Sequence, residues 1–338
     1  MVKYKKVKGL YFDKTAQVEQ LQNTLAIQRL SQSRTSLDDS QYMNKFEWLD
    51  RAIVNLAFNI RKEWKTIPSW LLASCNQEAV KTGKQEMTGV GRAYITRFLV
   101  DEIFNKTFHP ALDPQLSYNL KAIERNIRRN AAPTNNVEES EGLTAKIVNW
   151  RLATLEGLRD QLSSPQADEN KNNFVQMAET RLCASLMQHL QDKVPEGLGD
   201  EVRGVIELAV TLATNMPLES RDIVITHPMP GDMVSLAIMK PAETAIPPLE
   251  NPCEDAPEEG SVTGEKDEKD VEKSVTDGGK LKKRDPKAAA KKSVVEGASS
   301  DGKKKITQGE ERVRFAGFVA VEVRGKHILV KAPVWTMS

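Results

Sequence analysis

The apolar residues between residues 14 and 216 recur at the spacing of α-helices, in seven segments. In the most regular segment, six large side chains follow one another at steps of four and three residues: Tyr42, Phe46, Leu49, Ile53, Leu56 and Ile60. Such steps keep side chains on one face of a helix, and the acidic Asp38 and Asp39 suit its N-terminus. The helix has ended by Pro68. Because the repeat is not sustained further, we interpret it as the central helix of a bundle and not as a coiled coil.

Six further segments show the same period, and their predicted bounds are residues 14–33, 90–107, 114–130, 141–162, 168–193 and 199–214. The connection at residues 67–89 has room for a short helix at 76–81. For the segment 114–130 the predicted inner stripe is Leu116, Leu120, Ile123 and Ile127. Seven amphipathic helices with mostly short connections predict a helical bundle or array over residues 14–216.

The period changes from that of a helix to that of a strand after residue 216. Residues 223–225 and 233–238 predict two short strands on either side of a proline- and glycine-containing turn. Near the end of the chain, apolar alternation on both sides of Gly325 predicts a β-hairpin.

Isolated hairpins are only marginally stable in water. We therefore expect all four strands to form one sheet that packs on the helices. The predicted fold class is mainly α, a multi-helix bundle or array with a small antiparallel β-sheet formed by segments around 222–240 and 312–336.

Residues 241–311, between the two strand pairs, differ sharply in composition: they contain no aromatic residue and are rich in Pro, Glu, Lys, Gly and Ser. Such a stretch cannot bury enough apolar surface to offset chain entropy, so we predict that it is disordered. Its charges are ordered in blocks. Residues 254–272 carry nine acidic and two basic side chains, and residues 280–305 carry ten basic and three acidic ones.

These observations divide the chain into five predicted parts. They are a basic N-terminal arm (1–13), a helical domain (14–216), a first strand pair (217–240), an acidic-then-basic insert (241–311) and a C-terminal hairpin that packs back on the domain (312–338). Closing a long loop costs free energy that grows only logarithmically with its length, so a sheet completed across the insert is physically reasonable.

Charge and cysteine usage narrow the function classes. The formal net charge of +1 gives no overall field to attract nucleic acid or an anionic membrane. No window approaches the roughly 20 apolar residues that a membrane span needs, and the N-terminus lacks the apolar core of a signal peptide. The three scattered cysteines suit a reducing compartment. We expect an intracellular protein of the nucleus or the cytoplasm.

No motif predicts a cofactor, a metal site or a catalytic site. The histidines His109, His189, His227 and His327 fall in different segments, without cysteine or carboxylate neighbours at metal-ligand spacing. The glycines at 83 and at 89–91 belong to no phosphate-binding loop, and we interpret both as turns. A catalytic site assembled from distant residues stays open as an alternative.

The basic half of the insert is the most distinctive candidate site. Its residues are Lys282, Lys283, Arg284, Lys291, Lys292, Lys303, Lys304 and Lys305. The block is consistent with a solvated linker, with a nuclear import signal or with a contact to nucleic-acid phosphates. No aromatic residue is interleaved, so the stacking of bases is not predicted.

Several short runs carry a resemblance to a known kind of protein: Phe98-Leu99-Val100-Asp101-Glu102-Ile103-Phe104, His109-Pro110-Ala111-Leu112, Leu120-Lys121-Ala122-Ile123, Trp150-Arg151 and Lys331-Ala332-Pro333-Val334-Trp335. Over residues 98–160 and in the last of these runs, together about a fifth of its length, the chain resembles uncharacterised helical proteins restricted to fungi. Those proteins also finish with a short β element. The resemblance implies a lineage and no particular chemistry.

The leading functional hypothesis is a non-enzymatic interaction or scaffold protein. Its helical domain would offer a groove or a self-association surface to a protein partner, and the insert would act as a regulated tether. The first alternative is a nuclear protein that contacts nucleic acid through residues 280–305. The second is an enzyme with a non-local site.

Limited proteolysis with mass spectrometry tests the predicted division. We expect cutting to be confined to about residues 245–310, with the pieces 1–240 and 312–338 staying associated because they share β-pairing. Separation of the C-terminal piece without denaturant would contradict the shared pairing.

Overall fold

The computed structural model describes residues 37–250, except 83, 193 and 194, together with residues 311–337 and a few positions between 8 and 20. The predicted N-terminal arm and most of the predicted helix 14–33 lie outside the described residues. So do residues 251–310 of the predicted insert, with all eight candidate residues of its basic block. Residues 241–250, at the start of the predicted insert, are described, and the prediction of disorder is wrong for them because several contact the domain.

The described part of the chain is mainly helical, as predicted. Its helices are α1 (Asp39–Ile60), α2 (Ser69–Leu72), α3 (Ala79–Thr82), α4 (Lys84–Leu99), α5 (Pro114–Arg129), α6 (Val137–Gly157), α7 (Arg159–Leu162), α8 (Pro165–Met187) and α9 (Leu198–Asn215). A π-helical turn, Val100–Phe104, extends α4, and a 3₁₀ turn, Met216–Leu218, follows α9. The segment predicted as one helix over 141–162 is divided into α6 and α7.

Helix α1 is the central helix of the bundle. Its N-terminus is fixed by a capping box, in which the Asp38 carboxylate accepts a hydrogen bond from the Gln41 backbone N–H at 2.8 Å and the Gln41 side chain accepts one from the Asp38 backbone N–H at 3.0 Å. All six side chains of the predicted seam are at most 1% exposed. They pack against α4 and α9, and α9 packs in turn on α8.

The interpretation of the glycines at 89–91 as a turn is wrong. Gly89 and Gly91 are buried within α4, where a side chain would collide with neighbouring elements. A Cβ on Gly89 would lie 2.5 Å from Cε2 of Phe315, and one on Gly91 would lie 3.1 Å from Cβ of Ala57. The two glycines therefore let α4 approach a strand on one side and α1 on the other.

The strands form two sheets and not the single sheet that we expected. They are β1 (Ile223–Thr226), β2 (Met239–Pro241), β3 (Val313–Ala316), β4 (Ala320–Val323), β5 (His327–Val330) and β6 (Ala332–Thr336). One sheet has the antiparallel order β1-β4-β5, and the other has the order β2-β6-β3, in which β2 and β6 run parallel.

The chain turns at Gly317, and this turn sends β3 and β4 to different sheets. The backbone N–H of Gly317 donates to the carbonyl of Pro333 at 2.8 Å. A Cβ at this position would meet the Arg92 guanidinium at 2.9 Å and the Trp335 ring at 3.0 Å. The hairpin prediction is confirmed, because β4 and β5 pair across Gly325, which has a positive φ of 69°.

The strand predicted at 233–238 is wrong. The backbone N–H groups of Ile238 and Met239 both donate to the carbonyl of Ser235, at 3.1 and 2.8 Å, so this stretch forms a turn. Only Met233 makes an isolated β-bridge, to Arg312, and the strand β2 begins at Met239.

A buried ion pair between Glu86 and Arg314 joins the two sides of the insert, and both side chains are 1% exposed. The Arg314 guanidinium also donates to the carbonyl of Ser74 at 2.7 Å and to that of Pro247 at 2.6 Å. Asn76 adds contacts to the backbone of Pro248 at 3.0 Å and of Glu250 at 2.9 Å. The chain that enters the insert and the chain that leaves it are thus bound to the same few side chains of the helical domain.

Burial shifts the pKa of two groups in this cluster. It lowers the pKa of Arg314 from its ordinary value even though the neighbouring Glu86 carboxylate opposes the shift. It also raises the pKa of the Cys75 thiol to about 12, with a further contribution from Glu86.

Among the helices that the structure describes, none is both long and apolar enough to cross a membrane.

Removing one partner of the buried pair is expected to be strongly destabilising. Glu86→Ala leaves the Arg314 charge buried without a counter-ion and should lower the free energy of unfolding by about 3–5 kcal/mol. The double variant Glu86→Leu with Arg314→Met should lose much less than the sum of its single changes, which urea denaturation measures. A matched control is the exposed Lys81–Glu78 pair, where Lys81→Ala should cost less than about 1 kcal/mol. Additive single effects at the buried pair would contradict the coupling.

Candidate functional site

The four histidines do not form a site. His109 is buried and His227 is half-buried, and desolvation lowers the pKa of each to about 4. His189 packs between two aromatic rings, and His327 pairs with a carboxylate at 2.8 Å. Within the described ranges no group of three or more His, Cys, Asp or Glu side chains could hold a metal ion.

A cleft of about 400 Å³ lies between helix α5, strand β1 and the turn that joins β4 to β5. The residues that line it are Phe104, Asn105, Lys121, Glu124, Arg125, Arg128, Arg129, Met216, Asp222, Ile223, Val224, Ile225 and Arg324. Five of these side chains are cationic and two are carboxylates. We name this site the basic cleft.

Helix α5 supplies most of the cations, since Lys121, Arg125, Arg128 and Arg129 recur at steps of four, three and one residues along it. The helix begins where the Asp113 carboxylate accepts hydrogen bonds from the N–H groups of residues 115 and 116. Its predicted inner stripe is only partly buried: Leu116, Leu120 and Ile127 are half-buried, whereas Ile123 is 44% exposed. Ser117 is the one residue of α5 that is fully buried. The helix therefore lies at the surface, with its basic stripe along the cleft.

Asp222 is the central acceptor of the cleft. Its carboxylate pairs with Arg128 at 2.8 Å, with Arg324 at 2.7 Å and, more loosely, with Arg151 at 3.7 Å. Glu124, the second carboxylate, pairs with Lys121 at 2.9 Å and with Arg151 at 3.6 Å.

Six cations therefore face two carboxylates, because Arg151 joins the five that line the cleft. The exposed Arg125 and Arg129 have no ion-pair or hydrogen-bond partner for their side chains within the described residues. The pKa of Arg128 is lowered, first by burial and then by the charge of Arg324, although Asp222 and Glu124 oppose the shift. The cluster thus holds more positive charge than its carboxylates compensate.

Arg151, on α6, lies beside the cleft and faces both of its carboxylates. Its side chain is 6% exposed, and it borders a cavity of about 70 Å³ that shares Lys121, Glu124 and Asp222 with the basic cleft. The guanidinium donates to the carbonyls of Glu219 and Arg221, both at 2.8 Å. Its Nε is buried and has no hydrogen-bond partner among the described residues. This buried cation fixes the loop that carries Asp222 and keeps one N–H uncommitted.

A second set of contacts fixes the same loop from the other side. The Tyr42 hydroxyl donates to the buried carboxylate of Glu219 at 2.8 Å, and Arg221 pairs with Asp39. Burial alone would raise the pKa of Asp39, but hydrogen bonds and charges from Arg221 and His327 hold it below its usual value. Glu219 and Arg221 therefore hold the loop against the N-terminal half of α1, directly before Asp222, which lines the cleft.

Strand β1 contributes its edge to the cleft. It is the outer strand of its sheet, and within the described chain no strand pairs with its far side. Residues 223, 224 and 225 all line the cleft. Because successive side chains of a strand point to opposite faces, a cavity that touches three in a row approaches the strand along its edge.

A second cleft of about 480 Å³ adjoins the basic cleft. Asp222 and Arg324 line both, so the two clefts meet at that ion pair. The second cleft also borders Arg221 and Lys326 and the N-terminal turns of α6.

The chemistry of the basic cleft suits the binding of anions. The residues that line it include five cations and no histidine, cysteine, serine or threonine. Both lining carboxylates are engaged by cations. The guanidinium groups offer forked N–H donors that match carboxylates and phosphates.

Sequence reasoning missed this cleft. Arg125, Arg128 and Arg129 are visible as a cluster in the sequence, but Arg151, Asp222 and Arg324 join them only in the folded chain. The basic face of the predicted amphipathic helix 114–130 was the signal that was available.

Comparisons with protein-family models, with curated proteins and with solved structures give no match to this chain. The resemblance to fungal helical proteins therefore stays a prediction.

Replacing Asp222 tests how much the stability of the fold depends on the carboxylate that three of these cations share. Asp222→Asn leaves Arg128, Arg151 and Arg324 with Glu124 as their remaining carboxylate, and should lower the free energy of unfolding by about 3 kcal/mol. Sodium sulfate should restore more stability to this variant than to wild type, because an anion can replace the lost charge. Thermal unfolding measures both effects. The control is Glu47→Gln, at an exposed pair with Arg51; an equal sulfate effect in both variants would count against a role for the anion.

Proposed function

We propose that this chain is a non-enzymatic interaction protein that binds an extended, acidic segment of a partner protein along the free edge of β1. The observation that carries the proposal is the excess of cations in the basic cleft beside an unpaired strand edge. An extended segment can add to such an edge through main-chain hydrogen bonds. Carboxylates on the segment would then complement the arginines of α5.

The strand edge favours a protein partner over nucleic acid. A segment laid against β1 can exchange backbone N–H and C=O hydrogen bonds with it, which a nucleic acid cannot do in the same regular way. The only aromatic residue in the lining is Phe104, which is 9% exposed. Bases would therefore find no stacking surface in the cleft.

The basic block at 280–305 supports the alternative of a nuclear protein that contacts nucleic acid. This block lies outside the described residues, and it is separable from the cleft by deletion. The same block supports nuclear import as a localisation hypothesis, with the insert as a regulated tether between partners.

Fluorescence polarisation with the full chain tests the leading proposal. The probe is a short fluorescein-labelled peptide of alternating threonine and glutamate. We expect binding that weakens with salt. The variant Arg125→Glu with Arg129→Glu should lose at least about tenfold in affinity, because each charge-assisted hydrogen bond contributes about 1.5–3 kcal/mol and a factor of ten is about 1.4 kcal/mol.

The control variant is Arg159→Glu, an exposed arginine outside the cleft, which should bind as wild type does. Binding should also protect backbone amides of β1 from hydrogen exchange. If a single-stranded oligonucleotide bound more tightly, and if deletion of 280–305 abolished that binding, the nucleic-acid alternative would replace the proposal. If the variant Arg125→Glu with Arg129→Glu bound the peptide unchanged, the cleft would not be its site.

A further inference from the structure

We propose that the segment bound at the basic cleft adds to β1 as an antiparallel strand in one register, and that its side chains alternate between apolar and acidic. This inference rests on the proposed function, because it assigns a sequence pattern to the segment that the cleft binds. It is carried by the direction of the backbone groups of β1, by the two faces of that strand and by the side chains that line the cleft.

The hydrogen bonds between β1 and β4 determine which backbone groups of β1 are available at its free edge. The backbone N–H of Arg324 donates to the carbonyl of Asp222 at 2.9 Å, in the same register as the paired residues of the two strands. Hydrogen-bonded and non-hydrogen-bonded positions alternate along an antiparallel pair, so Val224 bonds to β4 whereas Ile223 and Ile225 do not. The N–H and C=O groups of Ile223 and Ile225 therefore point away from β4, toward the edge that borders the cleft.

These two residues determine the register of an added strand. In an antiparallel strand, a residue directly opposite Ile223 or Ile225 can exchange both of its backbone hydrogen bonds with that isoleucine. The sheet β1-β4-β5 is antiparallel throughout, and purely antiparallel sheets are favoured over mixed ones. Antiparallel addition therefore continues the existing sheet and uses the backbone groups that β4 leaves free.

The two faces of β1 differ in chemistry. Ile223 belongs to the main apolar core and Ile225 packs against it, so their face of the strand points inward. Because side chains of a strand alternate between its faces, Val224 and Asp222, the residue directly before β1, share the other face. The Asp222 carboxylate pairs there with two arginines of the cleft. The cations therefore lie on the face of β1 that points away from the core.

An added strand would continue both faces, because directly opposite residues of neighbouring strands share a face. Side chains opposite Ile223 and Ile225 would lie on the inward face, and Phe104 and Met216 of the cleft lining pack in the same core. The side chain between them, opposite Val224, would lie on the face of the arginines. Apolar side chains suit the first two positions, and a carboxylate suits the position between them. The segment that fits is therefore apolar, acidic and apolar in turn.

Two fluorescein-labelled peptides of identical composition test the pattern on the full chain. In one peptide valine and glutamate alternate, and in the other the valines and the glutamates form separate blocks. We expect the alternating peptide to bind at least about tenfold more tightly in fluorescence polarisation, since only an alternating strand places all its carboxylates on the face of the arginines. Arg125→Glu with Arg129→Glu should reduce this preference, and Arg159→Glu should leave it unchanged.

N-methylation of the alternating peptide tests the register without any change to the protein. A methyl group on a backbone nitrogen removes the donor and obstructs the approach of the strand at that residue. The valines lie opposite Ile223 and Ile225, so N-methylation of two successive valines should lower the affinity at least about tenfold. The N–H groups of the glutamates point away from β1, so N-methylation of two glutamates should leave the affinity nearly unchanged.

Hydrogen exchange resolved by residue gives a second measurement on the unmodified chain. The amides of Val224 and Thr226, which bond to β4, should already be protected before the peptide is added. The alternating peptide should then add protection at Ile223 and Ile225.

The outcomes separate the two proposals. Equal affinity for the alternating and the block peptides would overturn the pattern, and it would leave the proposed function standing if the paired arginine variant still weakened binding. A loss of affinity confined to the N-methylated glutamates would overturn the antiparallel register, because a parallel strand bonds through those residues. Failure of every acidic peptide to bind, the threonine–glutamate probe included, would overturn both proposals.

Discussion

The buried ion pair between Glu86 and Arg314 is the constraint on which the rest of the fold depends. It binds the chain on both sides of a long insert to the same helical surface, together with Ser74 and Asn76. Each sheet then pairs a strand from before the insert with strands from after it. The basic cleft needs this arrangement too, because Asp222 precedes the insert and Arg324 follows it.

A buried pair of this kind is weak evidence for stability alone, since desolvation offsets much of its attraction. Its contacts suggest a role in selecting one arrangement of the chain. Arg314 satisfies two backbone carbonyls and one carboxylate at once, so an alternative path for the C-terminal strands would leave several buried polar groups unpaired. The basic cleft differs from this pair in exposure. Its uncompensated charges, on Arg125 and Arg129, are exposed to solvent.

The sequence predicted the features that depend on local periodicity. The α1 seam, the main helices and the β4–β5 hairpin follow from spacing within a few residues. The division into two sheets did not, because it depends on how closely Gly317 approaches Arg92 and Trp335. The basic cleft was missed because Arg151, Asp222 and Arg324 are distant in sequence and meet only in the folded chain. The basic run at 280–305 is continuous in the sequence, so it became the predicted site instead.

The π-helical turn at Val100–Phe104 has a consequence for the helical phase of this region. The backbone N–H of Asn105 reaches back five residues to the carbonyl of Val100, at 2.9 Å. In an α-helix each residue advances the direction of the side chains by about 100°, so the wider turn shifts every later position relative to α4. Val100 and Ile103 stay in the core while Phe104 and Asn105 border the cleft. Deleting one residue from this turn would rotate the wall of the cleft and leave the core of α4 in place.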